Sequence, residues 1–237
     1  MTPRLRVIAG PNGSGKTTLA EQLTTDYSVN LYRFLNSDVL NAEIRLQHKT
    51  ACPFSIEPQA LTDFAAISTY PAEYKQPFLD GGIAIGNDDY VYFKPDSINS
   101  YTSAILADFF KEQHLIRKVS FSFETVFSHP AKIDILRRAQ QSEYRTYLYF
   151  VATENPDINI SRIAARERSG GHGVPEDKIR SRYERCLEQI KTALPYLNRA
   201  FFFDNTLADL KFFAEYNGES GFTFYSEIPR WFQQHVL

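Results

Sequence analysis

Cysteine is scarce in this sequence, with only Cys52 and Cys186 among 237 residues. Two cysteines cannot form the dense disulfide framework of a small secreted domain, so we expect a reducing compartment, the cytoplasm. No apolar run approaches the ~20 residues that a membrane span needs. We also expect no secretory signal segment, because an apolar run typical of a core strand begins by about Leu5. The sequence therefore predicts no membrane association.

A surplus of charge of either sign is also missing. The formal net charge is −2 at pH 7, which gives no global positive field to attract nucleic acid or an anionic membrane. Hydrophobic residues make up 43% of the chain and charged residues 23%, both ordinary for a soluble globular protein. We expect a single domain over residues 1–237, large enough for a sizeable core, and we do not expect a nucleic-acid partner.

A glycine-rich stretch near the start of the chain fits the phosphate-binding pattern G-x-x-x-x-G-K-[ST] without a mismatch. An apolar run precedes it, and apolar residues recur at helical spacing after it, so the stretch joins a strand to a helix. Small residues let backbone N–H groups surround a polyphosphate, and the helix directs its positive end toward it. We predict that Lys16 reaches the β- and γ-phosphates and that the Thr17 hydroxyl holds Mg²⁺. The predicted ATP-binding residues are Gly10, Pro11, Asn12, Gly13, Ser14, Gly15, Lys16, Thr17 and Thr18.

Strand-like and helix-like segments alternate along the rest of the chain. The strand-like runs lie at 5–8, 31–35, 119–123, 147–151 and 201–203. This alternation predicts an α/β fold, a P-loop NTPase three-layer sandwich with a parallel sheet of about five strands and helices on both faces. For the tail we predict a helix near Leu207 to Tyr216, a strand at 222–225 and a short amphipathic end around Trp231.

Residues 48–97 show neither the helical nor the strand spacing of apolar residues, because prolines and glycines interrupt the segment. Only 89–93 has the alternation of a short strand. We interpret the segment as an insertion, which either covers the substrate site or is a surface excursion.

Acidic residues follow two of the predicted strands, where open α/β sheets bind ligands. Asp38 could act as a base or orient an acceptor hydroxyl, although Ser37 or Asp38 could instead cap the following helix. Glu124, followed by Thr125, could bind the acceptor or orient Mg²⁺ through water.

Arginines cluster between 156 and 194, in a predicted helix–loop–helix that we interpret as a lid. Arg162 and Arg166 share the polar face of the first helix with Asn159, and Arg180 lies on the second helix. Such cations could stabilise a transferring phosphoryl group, and the Gly170–Gly173 break could let the lid close. Alternatively, they form ordinary surface pairs, and His172 is more typical of a loop residue than of a catalyst. Asn205, after the last predicted core strand, suits an adenine pocket or a turn.

Two motifs of other nucleotide enzymes are missing, which narrows the chemistry. The sequence has no N-K-x-D guanine-specificity motif and no run of four apolar residues that ends in Asp-Glu. A phosphate loop, strand-end carboxylates and an arginine lid favour phosphoryl transfer to a small acceptor. The alternatives are a kinase of another metabolite or of a nucleic-acid end, and a regulatory module that binds ATP without transfer.

These motifs together resemble the zeta-toxin family of P-loop kinases, in particular its chromosomal branch often labelled predicted ABC-type ATPase. The matching stretches are 9–18, Asn36-Ser37-Asp38, 121–125, 166–183 and Phe203-Asp204-Asn205. The resemblance covers about residues 4–47 and 98–206. It implies an ATP- and Mg²⁺-dependent kinase that phosphorylates a hydroxyl of a UDP-sugar such as UDP-N-acetylglucosamine, and a small antitoxin protein is a common partner in the family. By this resemblance Lys16 binds phosphate, Asp38 is the base, Glu124 and Thr125 lie at the acceptor site, and arginines of the 162–182 region clamp the phosphates.

Overall fold

The computed structural model describes residues 2–170, 173–207 and 209–237. The described chain forms two compact units. The first combines Met1–Phe34 with Lys118–Leu237, and the second is Leu35–Arg117. The second unit therefore extends beyond the expected 48–97 insertion at both of its ends, and the expectation of one kinase domain stays a prediction.

The first unit contains the main sheet and most of the predicted core helices. Its elements are β1 (Arg4–Ala9), α1 (Lys16–Thr25), β2 (Arg33–Leu35, whose last residue opens the second unit), β6 (Phe121–Thr125), α6 (Ala131–Gln141), β7 (Arg145–Ala152), α7 (Pro156–Arg168), α8 (Glu176–Ala193), β8 (Arg199–Asp204), β9 (Lys211–Asn217), β10 (Gly221–Phe224) and α9 (Arg230–His235). The second unit contains α2 (Ser37–Gln47), β3 (Lys49–Ala51), α3 (Gln59–Ile67), α4 (Ala72–Leu79), β4 (Ile83–Ile85), β5 (Tyr90–Phe93) and α5 (Ser100–Ile116).

The main sheet has, in the described chain, seven strands in the order β10-β9-β8-β7-β1-β6-β2. β1 runs parallel to β6 and β7, and β7 runs parallel to β8. β9 and β10 extend the sheet in antiparallel register. The predicted α/β sandwich is confirmed, but its sheet is mostly rather than wholly parallel and has seven described strands instead of about five. The predicted helix at 207–216 is wrong, because residues 211–217 form β9.

Side chains of β7 and β8 alternate between two covered faces, as the two-residue period of a strand requires. On one face, Tyr149, Val151 and Phe203 pack in a cluster with the buried leucines of α1. On the other, the ring of Phe150 lies 6.0 Å from that of Trp231 and the ring of Phe202 lies 4.8 Å from that of Phe232, both on α9. Because both faces are covered, these strands are almost continuously apolar in sequence.

The second unit has a small antiparallel sheet of its own, in the order β3-β5-β4. The strand expected at 89–93 is β5, at its centre. The Asn99 side chain caps α5 in a capping box with Thr102. No helix among the described residues combines the length and the apolarity that a membrane span requires.

Candidate phosphate-binding site

The glycine-rich loop lies between the carboxyl end of β1 and the amino end of α1, where the sequence places it. Its glycines at 13 and 15 have φ of +77° and +98°, a left-handed conformation that costs a residue with a Cβ about 1–2 kcal/mol. A Cβ on Gly13 would lie 2.7 Å from the carbonyl oxygen of Asn159 on α7. A Cβ on Gly15 would lie 2.3 Å from Nδ2 of Asn205, which follows β8. Glycine is required here both by backbone conformation and by close neighbours.

Two asparagine side chains hold carbonyl groups of this loop. Nδ2 of Asn159 donates to the Asn12 carbonyl at 2.7 Å, and Nδ2 of Asn205 donates to the Ser14 carbonyl at 2.8 Å. Anchored carbonyls help to fix which way the peptide groups of the loop face. Asn205, predicted to bind the cofactor, thus contacts the phosphate loop directly.

Asn159 corrects the sequence interpretation. It was expected on the polar face of α7 with Arg162 and Arg166, but it is fully buried. Asn159 and Ile163 are one turn apart and share the buried face of the helix. A lone asparagine beside apolar residues carries no sequence signal for this role, since its partner is a loop carbonyl 147 positions away.

Two buried polar atoms of the loop and one on helix α7 have no hydrogen-bond partner among the described residues. They are Oδ1 of Asn12, Oγ of Ser14 and Nη1 of Arg162 on α7. Unpaired buried polar groups are costly and uncommon. The Ser14 hydroxyl and the Arg162 guanidinium can both donate to phosphate oxygens and so fit a polyphosphate ligand, whereas the Asn12 amide oxygen can only accept.

The first residues of α1 supply a cation and hydroxyl groups. Lys16 is buried, and its Nζ donates to the Pro11 carbonyl at 3.0 Å, so it lies over the loop. Thr17 and Thr18 are exposed on the first turn of α1. Among residues 2–170, 173–207 and 209–237, no three His, Cys, Asp or Glu side chains form a metal-binding group. The Thr17 hydroxyl fits Mg²⁺, which commonly binds through few protein groups together with substrate phosphates.

The carboxyl end of β6 lies beside the start of the loop. Glu124 is in register with Ile8, and Thr125 with Ala9, which directly precedes Gly10. Both are partly exposed, and Oγ1 of Thr125 accepts from the backbone N–H of Phe127 at 3.3 Å. The register places Glu124 and Thr125 beside the start of the loop, and their role at a ligand stays a prediction.

The three predicted arginines have different surroundings. Arg162 is half-buried, and its Nη2 donates to the Leu207 carbonyl at 3.1 Å while its Nη1 is unpartnered as described above. Arg166 is exposed one turn further along α7. Arg180 forms ion pairs with Asp157 at 2.7 Å and Glu176 at 2.8 Å. The Gly170–Gly173 break begins with Gly170 in a left-handed conformation, and Gly171 and His172 lie outside the described residues.

Asp38 lies in the second unit, in the first turn of α2, with its side chain exposed. The helix cap is neither Ser37 nor Asp38. It is Asn36, whose Oδ1 accepts from the backbone N–H groups of Asp38 at 2.9 Å and Val39 at 3.4 Å. The capping alternative to a functional role for Asp38 is therefore wrong, since the residue two positions earlier has that role.

Helix α8 contacts the segments that follow β7 and β6 through two buried side chains. The hydroxyl of Tyr183 donates to the Thr153 carbonyl at 2.6 Å, and Sγ of Cys186 lies 2.7 Å from the Val126 carbonyl. Burial raises the pKa of the Cys186 thiol, and the charge of Lys16 acts in the opposite direction.

Comparisons with known proteins agree with this fold. No model of a protein family matches the chain. A 65-residue segment is 31% identical to an uncharacterized protein of Haemophilus influenzae, and it spans 27% of this chain and 46% of that relative. The structure of AvrRxo1-ORF1:-ORF2 with ATP is similar with a TM-score of 0.56 and 14% identity, over 94% of this chain and 60% of that one.

The PezAT chromosomal toxin–antitoxin system of Streptococcus pneumoniae has a second similar structure. The TM-score is 0.51 at 13% identity, over 86% of this chain and 68% of that one. At such identities the likeness establishes the fold alone, an α/β sandwich with a glycine-rich loop between β1 and α1. Reaction, acceptor and partners have to be argued from the residues.

Proposed function

We propose that this chain is an ATP-dependent phosphotransferase that acts on a hydroxyl group of a small molecule. The observation that carries the proposal is a glycine-shaped loop with a buried donor, the Ser14 hydroxyl, that is unpartnered among the described residues, together with a second such donor, Nη1 of Arg162, on the helix that packs against the loop. A loop that served only as a turn would not need a buried lysine and an unpaired guanidinium nitrogen beside it.

The candidate site residues of the first unit have roles in this proposal that follow from their positions. The loop N–H groups and Lys16 bind phosphate oxygens, and Thr17 holds the metal. When bound, Mg-ATP supplies the γ-phosphoryl group, and the Mg²⁺ ion neutralises part of its charge. Glu124, in register with Ile8 beside the loop, positions the acceptor.

Among the arginines, the surroundings favour Arg162 as the group that stabilises the transferring phosphoryl group. One of its nitrogens is fixed by the Leu207 carbonyl, and the other is buried and unpartnered within the described chain. Arg180 is already neutralised by two carboxylates, so we assign it the structural role of joining α7 to α8.

The acceptor class is inferred from the zeta-toxin resemblance, which implies a UDP-sugar such as UDP-N-acetylglucosamine with Asp38 as the base. The carboxylate of Asp38 is exposed, and it does not cap α2 because Asn36 does. The PezAT system and the AvrRxo1-ORF1:-ORF2 complex are both two-component assemblies by name, which supports a small antitoxin as a partner here.

The test is to incubate the protein with γ-labelled ATP, Mg²⁺ and either UDP-N-acetylglucosamine or a small-molecule extract, and to identify labelled products by mass spectrometry. We expect acceptor-dependent transfer, reduced by about 10²–10⁴-fold in Asp38→Asn because a positioned base contributes that much. Asp38→Asn should keep the wild-type unfolding free energy, whereas Asn36→Ala should lower it by about 1 kcal/mol. ATP binding without transfer to any acceptor would instead indicate a regulatory module.

A further inference from the structure

A buried chain of hydrogen bonds links helix α7 to the phosphate loop. The Thr153 hydroxyl, just after β7, donates to Oδ1 of Asn159, and Nδ2 of Asn159 donates to the Asn12 carbonyl at 2.7 Å. Both Thr153 and Asn159 are fully buried. The Thr153 carbonyl in turn accepts from the Tyr183 hydroxyl on α8 at 2.6 Å.

The Asn12 carbonyl, which can only accept, fixes the orientation of the Asn159 amide, and the Thr153 hydroxyl, which also lies 3.1 Å from the Asn155 carbonyl, matches it. A threonine hydroxyl bound to the amide oxygen leaves the NH₂ group directed at the loop. Packing reinforces this contact, since a Cβ on Gly13 would lie 2.7 Å from the Asn159 carbonyl oxygen and 3.2 Å from Cγ1 of Ile163. The loop therefore lies directly on two successive turns of α7.

Arg162 is on the same helix, three residues after Asn159. We propose that Asn159 is a positioning residue that fastens α7 to the phosphate loop, so that the loop and Arg162 move as one body and the guanidinium is in place before ligand binds. This proposal rests on the proposed function in one respect, since it assigns Arg162 to a phosphate ligand. It differs from a lid in which the whole arginine helix swings away from the loop.

The first test compares two asparagine-to-aspartate substitutions on one helix. Asn159→Asp keeps the shape of the side chain but replaces the donor facing the Asn12 carbonyl by a carboxylate oxygen. Asn155→Asp makes the same chemical change at the exposed cap of α7, where Oδ1 accepts from the backbone N–H groups of Asp157 and Ile158, and aspartate caps equally well.

The readout is amide hydrogen exchange of the free protein, which needs no nucleotide. We expect a peptide covering residues 10–16 to exchange on the order of tenfold faster in Asn159→Asp, given the usual cost of a buried unpaired group. Asn155→Asp should exchange as wild type does. Wild-type exchange of this peptide in Asn159→Asp would overturn the proposal. If that variant does not fold, Thr153→Val, which leaves Oδ1 of Asn159 without its buried donor, replaces it with the same expectation.

The second test uses inorganic tripolyphosphate on the wild-type protein. If the loop and α7 move as one body, tripolyphosphate should slow exchange both in residues 10–16 and in residues 156–163. Protection confined to the loop would contradict the proposal. If calorimetry shows that neither tripolyphosphate nor Mg-ATP binds, the proposed function fails. The exchange rates of the variants without ligand still decide the role of Asn159.

Discussion

Substituting Gly13 by alanine tests whether the loop depends on its close contact with α7. Gly13 has φ of +77°, and an added Cβ would lie 2.7 Å from the Asn159 carbonyl oxygen and 3.2 Å from its Cα. Gly221, at the start of β10, is a matched control because its φ is +82° and nothing lies within 4 Å of an added Cβ. The two substitutions share the backbone strain and differ in the contact.

The expected magnitudes follow from that difference. Left-handed backbone costs alanine about 1–2 kcal/mol in both variants. In Gly13→Ala the backbone carbonyl of Asn159 cannot rotate away as a side chain can, so the loop and α7 must separate. Separation breaks the 2.7 Å bond from Asn159 to the Asn12 carbonyl, which adds about 1–3 kcal/mol for the groups left unpaired.

The assay has two parts, urea unfolding and calorimetric titration with Mg-ATP. Gly221→Ala should lose stability but bind ATP as the wild type does. Gly13→Ala should lose more stability and bind ATP at least about tenfold more weakly, since 1.4 kcal/mol corresponds to that factor. Equal stability and equal ATP affinity in the two variants would refute the role assigned to the contact.

Two further predictions concern charge. Arg162→Ala should lower kcat by about 10³-fold or more while KM for ATP changes little. Arg180→Ala only breaks exposed ion pairs and should keep the wild-type kcat. Equal losses of kcat in the two variants, measured in steady-state assays, would contradict this assignment. Burial and the nearby Asp89 and Asp88 carboxylates raise the pKa of the Cys52 thiol from 9.0 to about 11. Because only the thiolate reacts, the alkylation rate of Cys52 at pH 8 should be about a hundredfold lower than that of an exposed cysteine, and this rate should keep rising toward pH 11. A rate equal to that of the exposed thiol would contradict the raised pKa.

The phosphate loop and the parallel strands were predictable because their signals are local. The pattern at 10–17 occurs between an apolar run and a helical repeat, and both the strand and the helix form there. This alternation also predicted that Asp38 follows a strand, as it does three residues after β2, and that a strand ends near Glu124, although only the register of β6 against β1 shows what Glu124 lies beside.

The errors have a common physical cause, which is pairing between distant parts of the chain. Residues 211–217 contain apolar positions at helical spacing, yet antiparallel pairing with β8 selects a strand, which suits their aromatic side chains. Asn159 reads as a polar surface residue because its partner, the Asn12 carbonyl, is remote in sequence. The pairing of Arg180 with Asp157 likewise joins two helices and left both alternatives for Arg180 open in the sequence.

The secondary structure of residues 48–97 could not be predicted for a different reason. Its strands are three or four residues long and pair antiparallel with one another. Elements this short contain too few residues to display a period. Proline within α4, at Pro77, further disguises the helix.

The central claim is that the loop at 10–17 binds the phosphates of Mg-ATP, and calorimetric titration of the wild type beside Lys16→Met tests it most directly. Methionine keeps the buried stem of Lys16 but removes the ammonium group that lies over the loop at 3.0 Å from the Pro11 carbonyl. We expect saturable binding of Mg-ATP at one site in the wild type, and loss of this binding in Lys16→Met at an unchanged unfolding temperature. Equal binding by the two folded proteins, or none by the wild type, would contradict it.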